Sequence, residues 1–260
     1  MKRIRSSDRA ATFVRALVHG DSGIGKTTSI LTLPEDKTFV AISERGALPL
    51  RKANYEVGLL DSWDDCRSLV SDFREPKEDG PKILFIDSLT ECSEICKSHI
   101  VRVDRKALIR ERTDGKKDKP SGIYDDLMGM EDWNLYSSRM NGFISACCHL
   151  PMHVIFSALS LRKENKKTGD TVKAPDVNGA LAFECPAYFD VVLHMENAED
   201  VDDQGRKTQR RVWRTANNGE ILAKDASGAL AEFEETNWMK VFGKIIGTNG
   251  QTAKKGSAKQ

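Results

Sequence analysis

The sequence lacks long apolar runs, cysteine pairs with CxxC spacing and a substantial net charge of either sign. No apolar segment approaches the roughly 20 residues of a transmembrane helix, so we do not expect a membrane protein. No apolar segment of the signal-peptide type follows the basic first residues, which predicts a cytoplasmic location. In the absence of export, the 6 cysteines are expected to be reduced thiols.

The charges of the chain almost cancel, with 40 Lys and Arg against 39 Asp and Glu and a net charge of +1. A basic field over the whole molecule is therefore not expected, and any nucleic-acid surface has to be local. The 260 residues, with a hydrophobic content of 39%, suffice for one globular domain with a core. We expect this domain at residues 11–246, between a flexible basic lead-in at residues 1–10 and a disordered tail at residues 247–260.

A glycine-rich turn follows the first apolar segment and has the spacing G-x-x-x-x-G-K-T of a P-loop. Glycines carry no Cβ, so the backbone can bend around phosphate oxygens and direct successive N–H groups at them. The positive end of the following helix adds to this attraction. Lys26 is placed to reach the β- and γ-phosphates of ATP, and the Thr27 hydroxyl is placed to ligate Mg²⁺. The predicted nucleotide-binding residues are Gly20, Asp21, Ser22, Gly23, Ile24, Gly25, Lys26, Thr27 and Thr28.

A second segment supplies an acidic partner for the P-loop. Four apolar residues, Ile83 to Ile86, precede Asp87, which predicts a central parallel strand that is buried on both faces and ends in a carboxylate. This is the Walker B pattern, in which the aspartate holds Mg²⁺ beside the P-loop threonine. The other interpretation is an aspartate that only caps the next helix. We predict Thr27 and Asp87 as metal ligands, and Lys26 and Asp87 as catalytic residues.

The rest of the chain alternates between apolar segments and polar turns, which favours an α/β fold. Strands are predicted at residues 13–20, 38–42, 56–60, 83–87, 153–159, 188–195 and 210–215, the last two as an antiparallel hairpin. Helices are predicted from Ser62 and at residues 89–109, 131–150 and 237–246, and exposed loops at residues 110–122 and 161–178.

A P-loop by itself does not separate kinases, GTPases, helicases and recombinases. No N-K-x-D motif for reading guanine is present, which disfavours a GTPase. Clustered arginines at Arg102, Arg105, Arg110 and Arg112 are compatible with the lid of a small-molecule kinase. That class stays open, as does a nucleotide-dependent assembly or binding factor without a DNA role.

The P-loop, the Walker B strand and the segment Ile42-Ser43-Glu44-Arg45-Gly46 together resemble the RecA-type core. Over residues 11–246 the chain is similar to phage-encoded, single-domain RecA-like ATPases, which include the Sak-four-type single-strand annealing proteins. The expected fold is therefore a RecA-like P-loop NTPase core with a mostly parallel central sheet and a C-terminal antiparallel hairpin. The resemblance implies Mg²⁺-dependent ATP hydrolysis on single-stranded DNA during phage recombination in the host cytoplasm. It also implies a homo-oligomer, ring or filament, and a single-strand-binding protein as a partner.

The resemblance also implies roles for single residues. Glu44, just past the second strand, corresponds to the carboxylate that orients the attacking water; its other interpretation is an acidic residue in the first turn of a helix. A cation that completes the neighbouring subunit's site falls on Lys224, with Arg214 as the second choice. Lys224 is the candidate because Ala226 stands where related sequences often carry a basic residue. An ordinary exposed lysine is the competing interpretation of Lys224.

One departure from the RecA-type pattern concerns the γ-phosphate sensor. RecA-like cores commonly carry a glutamine after the strand that corresponds to residues 153–159. This chain offers Ser157, Ala158 and Ser160 there, so sensing is expected to be weak or built differently.

Two charged segments are expected to contact DNA, since RecA-like proteins bind it through the loops at the corresponding positions, 102–122 and 161–178. Cationic side chains there would neutralise phosphates and release counterions. Aromatic side chains for base stacking are scarce in both segments, and charged loops are often only solvated, so this second interpretation stays open. The predicted DNA-binding residues are Arg162, Lys163, Lys166, Lys167 and Lys173.

Overall fold

Short apolar segments form the strands of a central sheet. The computed structural model describes residues 13–43, 48–104, 128–164, 169–201 and 207–248, and within these ranges ten strands form one sheet. The strands are β1 (Arg15–Gly20), β2 (Thr38–Ile42), β3 (Glu56–Leu59), β4 (Ile83–Asp87), β5 (His153–Glu164), β6 (Thr171–Pro175), β7 (Val191–Val201), β8 (Lys207–Arg214), β9 (Lys224–Asp225) and β10 (Phe233–Glu235). Their order across the sheet is β10-β8-β7-β1-β5-β4-β2-β3, with β6 paired to β5 and β9 paired to β7.

The strands around β1 are parallel to one another. β1 pairs in parallel with β5 and β7, β4 pairs in parallel with β5 and β2, and β2 pairs in parallel with β3. The strands β7, β8 and β10 pair antiparallel. This confirms the predicted α/β class, with a mostly parallel sheet and a C-terminal antiparallel hairpin. Because parallel strands end at one edge, the carboxyl ends of β1, β4 and β5 come together there, where ligands bind in open α/β sheets.

Helices cover both faces of the sheet. The α-helices in the described ranges are α1 (Trp63–Asp72), α2 (Leu89–His99), α3 (Met130–Cys148), α4 (Leu181–Glu184) and α5 (Trp238–Thr248), and a 3₁₀ helix, the P-loop helix, spans Thr27–Thr32. Within β4, Leu84 and Ile86 pack in the cluster that contains α1, α2 and α3, whereas Ile83 and Phe85 pack in the cluster that contains α5. A strand buried on both faces explains the run of four consecutive apolar residues.

The segment 161–178 differs from its predicted loop. β5 continues to Glu164 and pairs antiparallel with β6, with Ser160 opposite Pro175 and Glu164 opposite Thr171. The outer part of this hairpin is largely exposed, so it lacks the apolar alternation that marks a half-buried strand. The prediction of a loop over this whole segment is therefore wrong.

Two predicted element boundaries also differ. α2 ends at His99 and a π-helical turn, Ile100–Asp104, follows it, instead of one helix to residue 109. β7 begins at Val191 rather than at residue 188, because Cys185–Tyr188 forms a 3₁₀ turn with a proline in its first positions. Among the described residues, no helix combines the length and the apolar composition that crossing a membrane requires.

The C-terminal helix α5 packs against the P-loop helix. Trp238 Nε1 donates a hydrogen bond to Ser29 Oγ at 3.0 Å, and Trp238 N donates to Thr32 Oγ1 at 3.0 Å. The indole ring also lies 4.4 Å from that of Trp213, and both rings are fully buried. The helix after the P-loop is thus fixed by a residue more than 200 positions further along the chain.

Candidate nucleotide-binding site

The P-loop forms the turn that its glycines predict. Gly23 and Gly25 have φ angles of 73° and 113°, in the left-handed region that favours glycine. The Lys26 side chain is buried within the loop, and its Nζ donates to the carbonyl oxygens of Gly20 and Asp21, both at 2.9 Å. The ammonium group is therefore held against the backbone that would surround a phosphate.

The helix that follows the P-loop is short and tightly wound. It is a 3₁₀ helix of 6 residues, Thr27–Thr32. The chain cannot extend it through Pro34, which has no backbone N–H to donate. The Tyr55 hydroxyl instead hydrogen-bonds the carbonyl oxygens of Ile30 and Leu33, at 2.8 and 2.9 Å. Because so short a helix has a weak dipole, the loop backbone and Lys26 would be the main groups that hold a phosphate.

Asp87 lies within a cluster of hydroxyl groups at the carboxyl edge of the sheet. Thr27 Oγ1 donates to Asp87 Oδ2 at 2.7 Å, and Ser157 Oγ donates to Oδ1 of the same carboxylate. Ser43 Oγ donates to the Asp87 carbonyl oxygen at 3.1 Å. The register of β4 and β5 pairs Ile86 with Phe156, the residues that directly precede Asp87 and Ser157. The structure thus brings Thr27 and Asp87, the predicted metal ligands, into direct contact.

These groups fit Mg²⁺ and a triphosphate. Mg²⁺ prefers oxygen ligands, and a hydroxyl oxygen and a carboxylate oxygen lie 2.7 Å apart at this edge. The two positive-φ glycines give the loop the sharp bends of a phosphate-binding turn, and Lys26 supplies a cation. Thr27 and Asp87 are the residues that would hold the metal, and residues 20–28 those that would hold the phosphates.

Ser157 was identified in the sequence only as a departure from the expected glutamine. In the structure it is fully buried and its hydroxyl binds the Asp87 carboxylate. It therefore orients a predicted metal ligand. The sequence did not reveal this contact, because it depends on how β4 and β5 pair.

Two buried histidines lie next to the P-loop. The Leu222 carbonyl accepts a hydrogen bond from His19 Nε2 at 2.7 Å, and the Ser160 hydroxyl lies 2.7 Å from Nδ1 and donates to it. Burial, with His194 beside it, lowers the pKa of His19 to about 3. Burial likewise lowers the pKa of His194 to about 4. Both rings are therefore neutral near pH 7, and the parallel pairing of β1 with β7 brings them together.

The predicted DNA-binding residues lie on or next to the β5–β6 hairpin. Arg162, Lys163 and Lys173 lie on its strands, whereas Lys166 and Lys167 lie outside the described residues. Arg162 is exposed, and the part of the chain that the structure describes gives it no acidic partner.

The two lysines of this hairpin have acidic partners. Lys163 Nζ lies 3.1 Å from Asp176 Oδ1, and Lys173 Nζ lies 3.0 Å from Asp21 Oδ2 in the P-loop. The hydrogen bond from Lys173 holds the pKa of Asp21 below its usual range. Phosphate contact by either lysine would compete with these ion pairs.

The predicted catalytic cation Lys224 lies away from its own P-loop. β9 pairs with the start of β7, at Val191 and Val192. Lys224 Nζ donates to the carbonyl oxygens of Pro186 and Phe189, at 3.3 and 2.8 Å. A role at the same chain's nucleotide does not follow from this position, and a role in trans stays a prediction.

Glu44 and Arg214 are the other two residues that were predicted to take part in hydrolysis. Glu44 lies outside the described residues, directly after Ser43. Arg214 contacts Glu196 at 3.0 Å and Glu232 at 3.1 Å, and its guanidinium lies 4.4 Å from the centre of the Phe233 ring. Arg214 is therefore already paired within the chain.

The chain matches a family model over most of its length and has distant structural likenesses among solved proteins. Among solved structures, the chain is similar to the RadB recombinase, with 11% identity and a TM-score of 0.40, over 82% of this chain and 90% of that one. It is also similar to the flagellar accessory protein FlaH from Methanocaldococcus jannaschii, with 8% identity and a TM-score of 0.38, over 85% of this chain and 83% of that one. No curated protein sequence matches the chain.

The extensive match is to a family model described as an AAA domain, AAA_24, over residues 12–227. It includes the P-loop, Asp87 and Ser157, and it covers most of the chain. The chain therefore belongs to the AAA_24 family of AAA domains.

Proposed function

We propose that the protein binds and hydrolyses ATP with Mg²⁺ and acts on single-stranded DNA in phage recombination, by annealing or strand pairing. The site and the family membership support the nucleotide part of this proposal. The resemblance to phage-encoded RecA-like ATPases and the cationic β5–β6 hairpin support the DNA part.

The convergence of Lys26, Thr27 and Asp87 carries the proposal. Thr27 and Asp87 are separated by 60 positions in the sequence, yet their side chains lie 2.7 Å apart. A glycine turn, an ammonium group, a hydroxyl and a carboxylate are the parts of a P-loop phosphate site. Bound Mg²⁺ would neutralise charge on the phosphates. Lys26 binds phosphate oxygens, while Ser157 holds the Asp87 carboxylate in place.

Hydrolysis also needs a carboxylate that orients water, and we assign this role to Glu44 on the resemblance to the RecA-type core. The position of Ser43 supports the assignment, since its hydroxyl lies 3.1 Å from the Asp87 carbonyl oxygen. The chain thus leaves β2 beside the Asp87 cluster immediately before Glu44.

ATP hydrolysis measured with and without single-stranded DNA tests this proposal. We expect Lys26→Ala to lose nucleotide binding, and Glu44→Gln to bind ATP but turn it over about 100-fold more slowly, as for loss of a general base. Glu56→Gln, at an exposed position of β3, is the matched control and should retain wild-type turnover. Normal nucleotide binding by Lys26→Ala would contradict the proposal, and normal turnover by Glu44→Gln would contradict the assignment of the base.

DNA binding is tested by the salt dependence of single-strand affinity. We expect Arg162→Glu, and the combined charge reversal of Lys163, Lys166 and Lys167, to weaken binding and flatten its salt slope. Arg74→Glu, an equal charge change at an exposed position just after α1, is the control and should leave binding unchanged.

One observation favours a second candidate, a nucleotide-dependent assembly or binding factor without a DNA role. Lys163 and Lys173 are each paired with a carboxylate of the same chain, which lowers the positive charge that the hairpin offers to phosphate. This candidate predicts no measurable single-strand binding and no stimulation of ATP hydrolysis by DNA, so the two assays above separate the candidates.

A homo-oligomer would let Lys224 complete a neighbour's nucleotide site. Mixing subunits tests this role. Lys26→Ala and Lys224→Ala chains are each expected to be inactive alone, but a mixed assembly contains sites with an intact P-loop from one subunit and Lys224 from the next. Recovery of hydrolysis on mixing supports the role in trans, and its absence contradicts it.

A further inference from the structure

A second cation, outside the P-loop motif, lies against the P-loop. A Cβ built on Gly25 would lie 2.8 Å from Arg211 Nη1 and 3.3 Å from Arg211 Cζ, and the three nearest atoms all belong to this arginine. Gly25 also has a φ angle of 113°, which side chains rarely adopt. The absence of a side chain at position 25 thus allows the guanidinium group to contact the loop backbone.

The C-terminal hairpin places Arg211 at this point. Met195 of β7 pairs with Gly20 on one side and with Trp213 of β8 on the other. Arg211 pairs with Asn197, which is two residues after Met195 in β7, and it lies two residues before the buried Trp213 in β8, so it shares a face of the hairpin with Trp213. The hairpin therefore continues past the end of β1 and carries Arg211 over the P-loop.

The guanidinium group of Arg211 is available to a ligand. Arg211 is exposed, and no carboxylate in the described ranges pairs with it, whereas Arg214 on the same strand binds Glu196 and Glu232. A guanidinium stays charged in proteins and offers five N–H donors in a fixed plane, which suits phosphate oxygens.

The sheet order indicates which part of a nucleotide this cation faces. The predicted metal ligands Thr27 and Asp87 lie on the side of β1 that carries β5 and β4, and β7 and β8 lie on the other side. The terminal phosphate belongs with the metal ligands. Arg211, on the β8 side, therefore faces the end of the phosphate chain that is attached to the nucleoside.

From this arrangement we infer that Arg211 binds the phosphate chain of its own subunit's nucleotide on the nucleoside side. The inference rests on the proposed function as a nucleotide-binding protein. The contact is common to ATP and ADP, so it contributes equally to the ground state and the transition state of hydrolysis. A contact of this kind changes KM and leaves kcat unaltered.

The test measures the affinity of the full chain for ADP and for a nonhydrolysable ATP analogue, together with KM and kcat for ATP. Arg211→Ala is expected to lower the affinity for both nucleotides by a similar factor, about tenfold, which corresponds to the loss of one charge-assisted hydrogen bond. KM should rise by the same factor while kcat at saturation stays within about twofold. Arg211→Lys should recover part of the affinity. Arg210→Ala removes the same charge from the opposite face of the hairpin and should bind like the wild type.

Lys26→Ala separates failure of this inference from failure of the proposed function. If Lys26→Ala loses nucleotide while Arg211→Ala binds normally, the inference is overturned and the proposed function stands. If Arg211→Ala weakens the ATP analogue but not ADP, the cation faces the terminal phosphate and the inference is overturned. If Lys26→Ala and Arg211→Ala both bind normally, the proposed function fails as well.

Discussion

Lys173 Nζ lies 3.0 Å from Asp21 Oδ2, in an ion pair that joins the β5–β6 hairpin to the P-loop across 152 positions of the sequence. The strand partner of Lys173 in the hairpin is Arg162. The segment that we propose to contact DNA is therefore in direct contact with the segment that we propose to contact nucleotide.

Removal of Lys173 is predicted to weaken ATP binding. Lys173→Ala leaves the Asp21 carboxylate without its partner beside the phosphates, and we expect a loss of about two- to fivefold, the range of a partly exposed ion pair. Asp21→Asn combined with Lys173→Ala should restore the affinity, since the repelling charge is gone. Lys207→Ala, which breaks the exposed pair with Glu199, is the control in the same binding assay. Equal weakening in the single and double variants would contradict this electrostatic explanation.

Ser157→Ala is predicted to weaken both stability and Mg²⁺ use. The variant removes a buried hydroxyl donor from the Asp87 carboxylate, which should lower the free energy of unfolding by about 1–3 kcal/mol. The Mg²⁺ concentration for half-maximal hydrolysis should rise, because the carboxylate loses its orientation. Urea unfolding and a Mg²⁺ titration measure the two effects. Ser71→Ala removes an exposed hydroxyl bound to the Ser68 carbonyl, and an equal change in that variant would contradict the specific role of Ser157.

The free energy of unfolding is predicted to fall as the pH is lowered from about 6.5 to about 4. The pKa of His19 is lowered to about 3 and that of His194 to about 4, so the unfolded chain binds protons in this range that the folded chain does not. Each histidine contributes up to about 1.4 kcal/mol per pH unit to the slope of the unfolding free energy against pH. This stabilisation is fully present above the pKa of histidine in the unfolded chain. Urea unfolding at pH 7, 6 and 5 measures it.

The pH dependence has a matched control at an exposed histidine. His194→Gln should reduce the slope of stability against pH, whereas His149→Gln, at an exposed position after α3, should leave it unchanged. A slope that is the same in both variants and the wild type would show that other groups cause the acid sensitivity.

Trp238 is predicted to be the main anchor of α5. Trp238→Ala should lower the free energy of unfolding by about 3–5 kcal/mol, because it leaves a cavity against Trp213 and Ser29. Trp238→Phe retains more of the packing but loses the hydrogen bond to Ser29, so it should cost less. Met239→Ala, at a side chain that is 47% exposed, should change stability by less than about 0.5 kcal/mol. Thermal or urea unfolding measures all three, and equal losses for Trp238→Ala and Met239→Ala would contradict the anchor role.

The sequence alone predicts that Thr27 and Asp87 lie at the same site. Both follow apolar runs that form buried parallel strands, and parallel strands end at one edge of the sheet. The P-loop and Walker B spacings are local, so no knowledge of the register was needed to name these residues.

The contacts of Ser157, Lys173 and Arg211 could not be predicted in the same way. Each depends on the pairing of strands that are distant in the sequence: β4 with β5, β5 with β6, and β7 with β8. The sequence also predicts a loop where the β5–β6 hairpin forms, because the outer residues of this hairpin contact solvent and carry no apolar alternation.

The packing of α5 against the P-loop helix determines where this protein can be truncated. The family match ends at residue 227, and α5 begins at Trp238. A fragment cut at that boundary would uncover Ile30 and Trp213 to water and remove the indole that holds Ser29. A self-sufficient fragment therefore has to retain the chain through residue 248.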